Sequence, residues 1–146
     1  MRSAVFLGLI LGSLITPAFA VEYRSVAGPT AVLYDGPSAR AKPLYVLNKN
    51  YPLAIVVTLG EWEKVRDMSG TLAWIEKKNL SDKRTLIVSA PVAEVKRAPE
   101  PNSPPLFRAE KNVLLELLEY SGDGWLRVRH ADGQVGYVAV NQVWGA

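Results

Sequence analysis

Two tryptophans each open a short run in which every second residue is basic: Trp62-Glu63-Lys64-Val65-Arg66 and Trp125-Leu126-Arg127-Val128-Arg129. Read with the two-residue period of a strand, Trp62, Lys64 and Arg66 share one face, and Trp125, Arg127 and Arg129 share another. An indole beside an ammonium or guanidinium group can hold a carboxylate-bearing peptide. The ring stacks, and the cation makes charge-assisted hydrogen bonds. The same pattern also describes an aromatic that closes the end of a small barrel, so two readings stand. Tyr45 and Phe107 are further ligand-binding candidates, each one step past a leucine, Leu44 or Leu106, expected in the core.

Other chemistry is scarce. There is no cysteine, hence no thiolate nucleophile, no disulfide framework and no Cys-based metal site. His130 is the single histidine and lies in a turn, with Asp67 at the matching position of the earlier segment. No nucleophile elbow accompanies it, so a Ser-His-Asp triad is not expected. The acidic pairs Glu61/Glu63 and Glu116/Glu119 read as solvated edges rather than a glycosidase pair. No catalytic residue, metal ligand or cofactor is therefore expected. Once Arg2 is set aside the charges nearly balance, 16 basic against 14 acidic, and there is no basic stripe for nucleic acid.

The elements that must position these residues are repeated. Ala31 and Ala93 stand 62 positions apart, as do Leu44 and Leu106, and Asn50 and Asn112. Trp62 and Trp125, and Gly70 and Gly133, stand 63 apart, so one residue has entered the second copy near Ser121-Gly122-Asp123-Gly124. Such a duplication describes two copies of one small domain. Within each copy, short apolar runs are punctuated by Gly and Pro, and no long stripe of helical period occurs. Residues Pro52 to Leu59 read as a buried strand. The counterpart, Asn112 to Tyr120, would pass locally for a helix, but the repeat makes it a strand. Asp67-Met68-Ser69-Gly70 and His130-Ala131-Asp132-Gly133 are tight turns. Thr85 to Val88 is expected to open the second copy as Tyr23 to Val26 opens the first. Pro99 to Pro105 maps onto Pro37 to Pro43 and is a stiffened loop rather than a linker. Trp74 and Tyr137 are expected in the core or at a subunit contact. Five or six short strands in about 60 residues predict a small, strongly bent barrel.

Residues 1–20 follow another logic. Met1-Arg2 is a positive start, Ala4 to Ile15 an apolar run too short to span a bilayer comfortably, and Ala18-Phe19-Ala20 a cleavage tripeptide. This is the pattern of a signal peptide cleaved after Ala20, which leaves no stable membrane anchor. The expected organisation is thus 1–20 signal peptide, 21–82 first domain and 83–146 second domain, with a polar linker at Ser81-Asp82-Lys83-Arg84.

The order of elements resembles the bacterial SH3 (SH3b) family in its exported form. That family runs from a hydrophobic residue and a small Gly-Pro turn to G-x-W-x-x-V and then D-G-x-x-G-[WY]-[VI]. Here the first copy offers Leu33, Gly36-Pro37, Trp62, Val65, Gly70, Trp74 and Ile75. The second offers Val95, Ala98-Pro99, Gly124-Trp125, Val128, Asp132-Gly133, Gly136-Tyr137 and Val138. Val32-Leu33-Tyr34 and Glu94-Val95-Lys96 stand where the family commonly has Asn-Val-Arg. The echo of the eukaryotic ALYDY stretch at Ala31 to Gly36 is not repeated in the second copy and is read as chance. The resemblance implies an all-β chain of two tandem SH3-like barrels, periplasmic or secreted. It implies a non-catalytic binding protein of the cell envelope whose partner is peptidoglycan, through its stem peptides, or a periplasmic protein or peptide. A scaffolding module without wall binding is the alternative.

Overall fold

The structure, a computed structural model, describes Gly12, Ser13, Ile15 and residues 20–146. The expected signal peptide lies almost wholly outside the described residues. Among the described residues, no helix is long and apolar enough to cross a membrane.

The first copy folds as β1 (Tyr23–Val26), β2 (Thr30–Tyr34), β3 (Pro43–Asn48), β4 (Pro52–Leu59), β5 (Trp62–Arg66), β6 (Leu72–Glu76) and β7 (Leu80–Ser81). The second folds as β8 (Thr85–Val88), β9 (Val92–Lys96), β10 (Pro105–Glu110), β11 (Leu114–Tyr120), β12 (Trp125–Arg129), β13 (Val135–Ala139) and β14 (Val143–Trp144). All pairings are antiparallel. The sheet orders are β3-β2-β6-β5-β4-β1-β7 and β10-β9-β13-β12-β11-β8-β14, one the image of the other. Each barrel has seven strands rather than five or six, because the short last strand pairs back onto the first. Asn112 to Tyr120 yields a strand, as the repeat requires.

The duplication extends to single hydrogen bonds. Val26 N–H donates to Tyr51 O as Val88 N–H does to Val113 O, and Asn50 N–H returns to Val26 O as Asn112 N–H does to Val88 O. Asn50 and Asn112 both take left-handed backbone, φ 71° and 76°, which asparagine tolerates better than most side chains. Bulges also recur, between Ile55 and Val57 on β4 and between Leu117 and Glu119 on β11.

Each barrel has its own core. Leu33, Leu53, Val65 and Ile75 fill the first, and Val95, Leu115, Val128 and Val138 the second. Three expectations are corrected here. The Pro52 to Leu59 strand is buried only over Pro52–Ala54; beyond its bulge it runs past the barrel, and Val56, Val57 and Leu59 are exposed. Leu44 and Leu106 face outward, while Tyr45 and Phe107 pack against the cores, because they lie opposite buried Leu33 and Val95. Glu63 is not a solvated edge. Strand alternation turns it inward beside Val65, and it is 4% exposed, its carboxylate accepting from Thr58 Oγ1 at 2.6 Å.

The barrels are joined by more than the linker. Residues Thr85 to Val88 are all buried, which a strand with one solvated face cannot achieve. Leu86 and Val88 enter the core of the second barrel. Thr85 and Ile87 face the first, Ile87 lining a cleft with Leu47 and Tyr51. Thr85 Oγ1 donates to Asn50 O at 2.6 Å, and Ser25 Oγ to Lys83 O at 2.8 Å. Arg84 lies over the Tyr23 ring at 5.5 Å and donates to Gly145 O at 3.0 Å and Tyr120 Oη at 3.2 Å. Tyr23 itself meets Trp144 edge-on at 5.3 Å.

Candidate ligand-binding faces

On β5, Glu63 and Val65 point inward, which leaves Trp62, Lys64 and Arg66 on the outer face. On β12 the same parity puts Leu126 and Val128 inward and Trp125, Arg127 and Arg129 outward. Each expected trio is therefore co-facial along one strand. Both indoles are half-buried on the outside of the sheet, so neither fills a barrel interior.

Register then adds residues that sequence reasoning placed elsewhere. Trp74 stands directly opposite Lys64 on one side and Tyr34 on the other. Tyr34 and Trp62 pack edge to face, centroids 5.6 Å apart at 83°. Trp62 lies opposite Glu76. The first barrel thus presents Tyr34, Trp62 and Trp74 around Lys64. In the second barrel Tyr137 stands opposite both Arg127 and Lys96, and Trp125 opposite Ala139. Trp74 and Tyr137 are half-buried outer-face residues, not core residues. Counting parity from buried Ile75 or Val138 could have shown this.

The cations differ in freedom. Lys96 is held by Glu94 at 3.5 Å and by a hydrogen bond to Pro101 O, and Arg129 pairs with Glu116 at 3.4 Å. Lys64, Arg66 and Arg127 form no ion pair among the described residues. Lys64 and Arg127, half-buried beside aromatic rings, are the groups a carboxylate can engage without breaking a prior bond, whereas Arg66 is exposed at the far end of its strand.

Tyr45 and Phe107 do not join these faces. Tyr45 lies on the core side of β3, and its hydroxyl donates to Asp67 Oδ2 at 2.9 Å, past the end of β5 opposite to Trp62. Burial, then the Asp67 bond and charge, push its phenol well above the usual value. Phe107 takes the same place in the second barrel, its ring tilted against His130 at 5.6 Å. His130 meets Asp132 at 3.0 Å, and no serine hydroxyl bonds to it among the described residues. Among the described residues, no group of three or more His, Asp or Glu side chains could hold a metal ion.

The bacterial SH3 domain profile matches residues 27–82 and again residues 90–145. The chain belongs to the bacterial SH3 domain family. Bacterial SH3 domains are usually binding modules and typically extracytoplasmic. No curated protein matches the chain. Among solved structures it is similar to NlpC1 from Trichomonas vaginalis, at 17% identity over 88% of this chain and 47% of that one, TM-score 0.40. NlpC2 from the same organism gives 18% identity over 86% and 48%, TM-score 0.40. An NlpC/P60 family protein from Bacillus cereus ATCC 10987 gives 16% over 84% and 56%, TM-score 0.40. The chain spans about half the length of these three.

Proposed function

We infer that this tandem bacterial SH3 protein is a non-catalytic binder of the cell envelope, exported by its N-terminal signal, and that its two outer faces take peptide carboxylates of peptidoglycan. The observation carrying this reading is the pair of outer-face sites, each an indole beside an unpaired cation, Trp62 with Lys64 and Trp125 with Arg127. An aromatic platform supplies apolar contact area and orientation, and the neighbouring cation supplies the charge-assisted bond to a carboxylate. Two such sites on one chain, facing a ligand that is itself a polymer, raise apparent affinity through local concentration rather than through any new contact. The seam between the barrels favours this use, because it fixes the separation of the sites.

The reading is tested by titrating the mature protein with soluble stem peptide while following the four indole N–H signals by NMR. Movement of the Trp62 and Trp125 signals, weakened by Lys64→Gln and Arg127→Gln, is the expected result. Absence of movement at millimolar peptide would exclude these faces as the stem-peptide site. Capture of a periplasmic protein through the same tryptophans would then replace wall binding.

A further inference from the structure

The repeat supplies an internal control for one corner of the second barrel. In the first barrel, the corner between β3 and the turn after β5 is closed by two tyrosines. Tyr45 donates to Asp67 at 2.9 Å, and Tyr51 Oη accepts from Met68 N–H at 3.4 Å. Burial raises both phenols above their usual value. In the second barrel Phe107 and Val113 hold these two positions, and His130 replaces Asp67. Neither hydroxyl is present, and a side chain of three carbons stands where the first barrel has a phenol. A depression of about 400 Å³ occupies this corner.

Its apolar wall is Phe107 and Val113, both packed against the core. Its polar rim carries the carboxylates of Asp132 and Glu110 together with Arg108, His130 and Gln134. Asp132 is held in place by Gln134, whose N–H and side-chain amide donate to it at 2.9 and 2.6 Å, and by His130, whose Nδ1 lies 3.0 Å from it. Glu110 lies on the same rim, and the guanidinium of Arg108 is drawn to Glu94 at 3.3 Å. An apolar wall with two carboxylates on its rim, where the guanidinium of Arg108 is engaged by Glu94, complements a methylene chain ending in a cation. An aromatic wall adds favourable contact with an ammonium.

We propose that this pocket of the second barrel binds an aliphatic ammonium group of the lysine type, with the chain against Phe107 and Val113 and the ammonium at Asp132 and Glu110. The site is separate from the tryptophan faces, since Trp125 begins β12 and His130 follows its end, roughly 15 Å away at strand rise. It belongs to the second barrel alone, because tyrosines close the same corner of the first.

The experiment titrates the mature protein with Nα-acetyl-lysine methylamide, and separately with the norleucine analogue, following backbone amides by NMR. Expected are shifts at Phe107, Val113 and Asp132 with the lysine compound only. Val113→Tyr, which installs the first barrel's residue, and Asp132→Asn should each weaken binding at least ten-fold, while Trp125→Ala leaves it unchanged. Should Val113→Tyr fail to fold, the surface variant Asp132→Asn decides. No shift at millimolar ligand, equal binding of the norleucine analogue, or unchanged binding by Asp132→Asn would overturn the proposal. Because Trp125→Ala spares this site and Asp132→Asn spares the tryptophan faces, the two readings fail separately.

Discussion

Thr85 donates from its hydroxyl to the main-chain carbonyl of Asn50 at 2.6 Å, a bond that crosses from one barrel to the other. Thr85 is 3% exposed, and Asn50 sits in left-handed backbone that presents its carbonyl to the seam. Ile87, buried outside either core, and Arg84, held by Tyr120 and Gly145 of its own barrel over the Tyr23 ring of the other, add to this seam.

Thr85→Val removes that donor at constant shape and is expected to cost about 1 kcal/mol. Arg84→Ala removes two hydrogen bonds and the Tyr23 contact together, and should split a single thermal transition into two. Scanning calorimetry checks this. One unchanged transition in Arg84→Ala would show that the seam does not couple the barrels.

Glu63 and Leu126 occupy equivalent inward positions, one a carboxylate with a single Thr58 partner, the other packed in a core. Burial of a carboxylate with one hydrogen bond is unfavourable relative to an apolar group of similar volume. Glu63→Leu should therefore stabilise the first barrel by about 1–2 kcal/mol, since the second already accommodates leucine there. The reverse change, Leu126→Glu, should destabilise the second barrel by about 3 kcal/mol or more. Urea midpoints measure both. A Glu63→Leu variant less stable than the parent would mean that the Thr58 bond outweighs desolvation.

Asp132 is held at a pKa of about 2, against an ordinary 3.8, chiefly by hydrogen bonds from Gln134 and then by His130. Its ionised form is thus favoured in the folded state. The resulting contribution is fully present above pH about 4 and is lost as pH falls through about 2. The parent should lose stability across that window, and Asp132→Asn should lose less. Acid unfolding followed by tryptophan fluorescence gives the comparison, and parallel curves for the two proteins would contradict it.

Much of this was legible in the sequence because the chain states it twice. The apparent helix at Val113 to Leu118 was resolved by its β-branched partner segment, and the turns at Gly70 and Gly133 fell where glycine takes positive φ. Parity was harder to read. A bulge shifts the β9/β10 register between Pro105 and Phe107, and another shifts β2/β3 between Leu33 and Tyr34. Near these shifts, counting outward from Leu44 and Leu106 gave the wrong face. For Trp74 and Tyr137 residue type suggests the core or a subunit contact, and the core half of that reading fails because Ile75 and Val138 beside them already occupy the inward positions. Glu63 was assigned to solvent by charge, although it alternates with Trp62 and Lys64. The tryptophan-and-cation trios were read correctly as co-facial because β5 and β12 carry no bulge within them. The depression beside Phe107 needed the structure, since it arises from Val113 and His130, which touch it from different elements.

The central claim is that Trp62 and Trp125 face outward to bind the wall. It is tested most directly by co-sedimentation of the mature protein with purified peptidoglycan sacculi, comparing the parent with Trp62→Ala, Trp125→Ala and the double variant, each verified as folded. The account predicts retention of the parent, a fall of at least ten-fold in apparent affinity for each single variant as bivalency is lost, and no retention of the double variant. Failure of the parent to sediment, or sedimentation of the double variant as tightly as the parent, would contradict it.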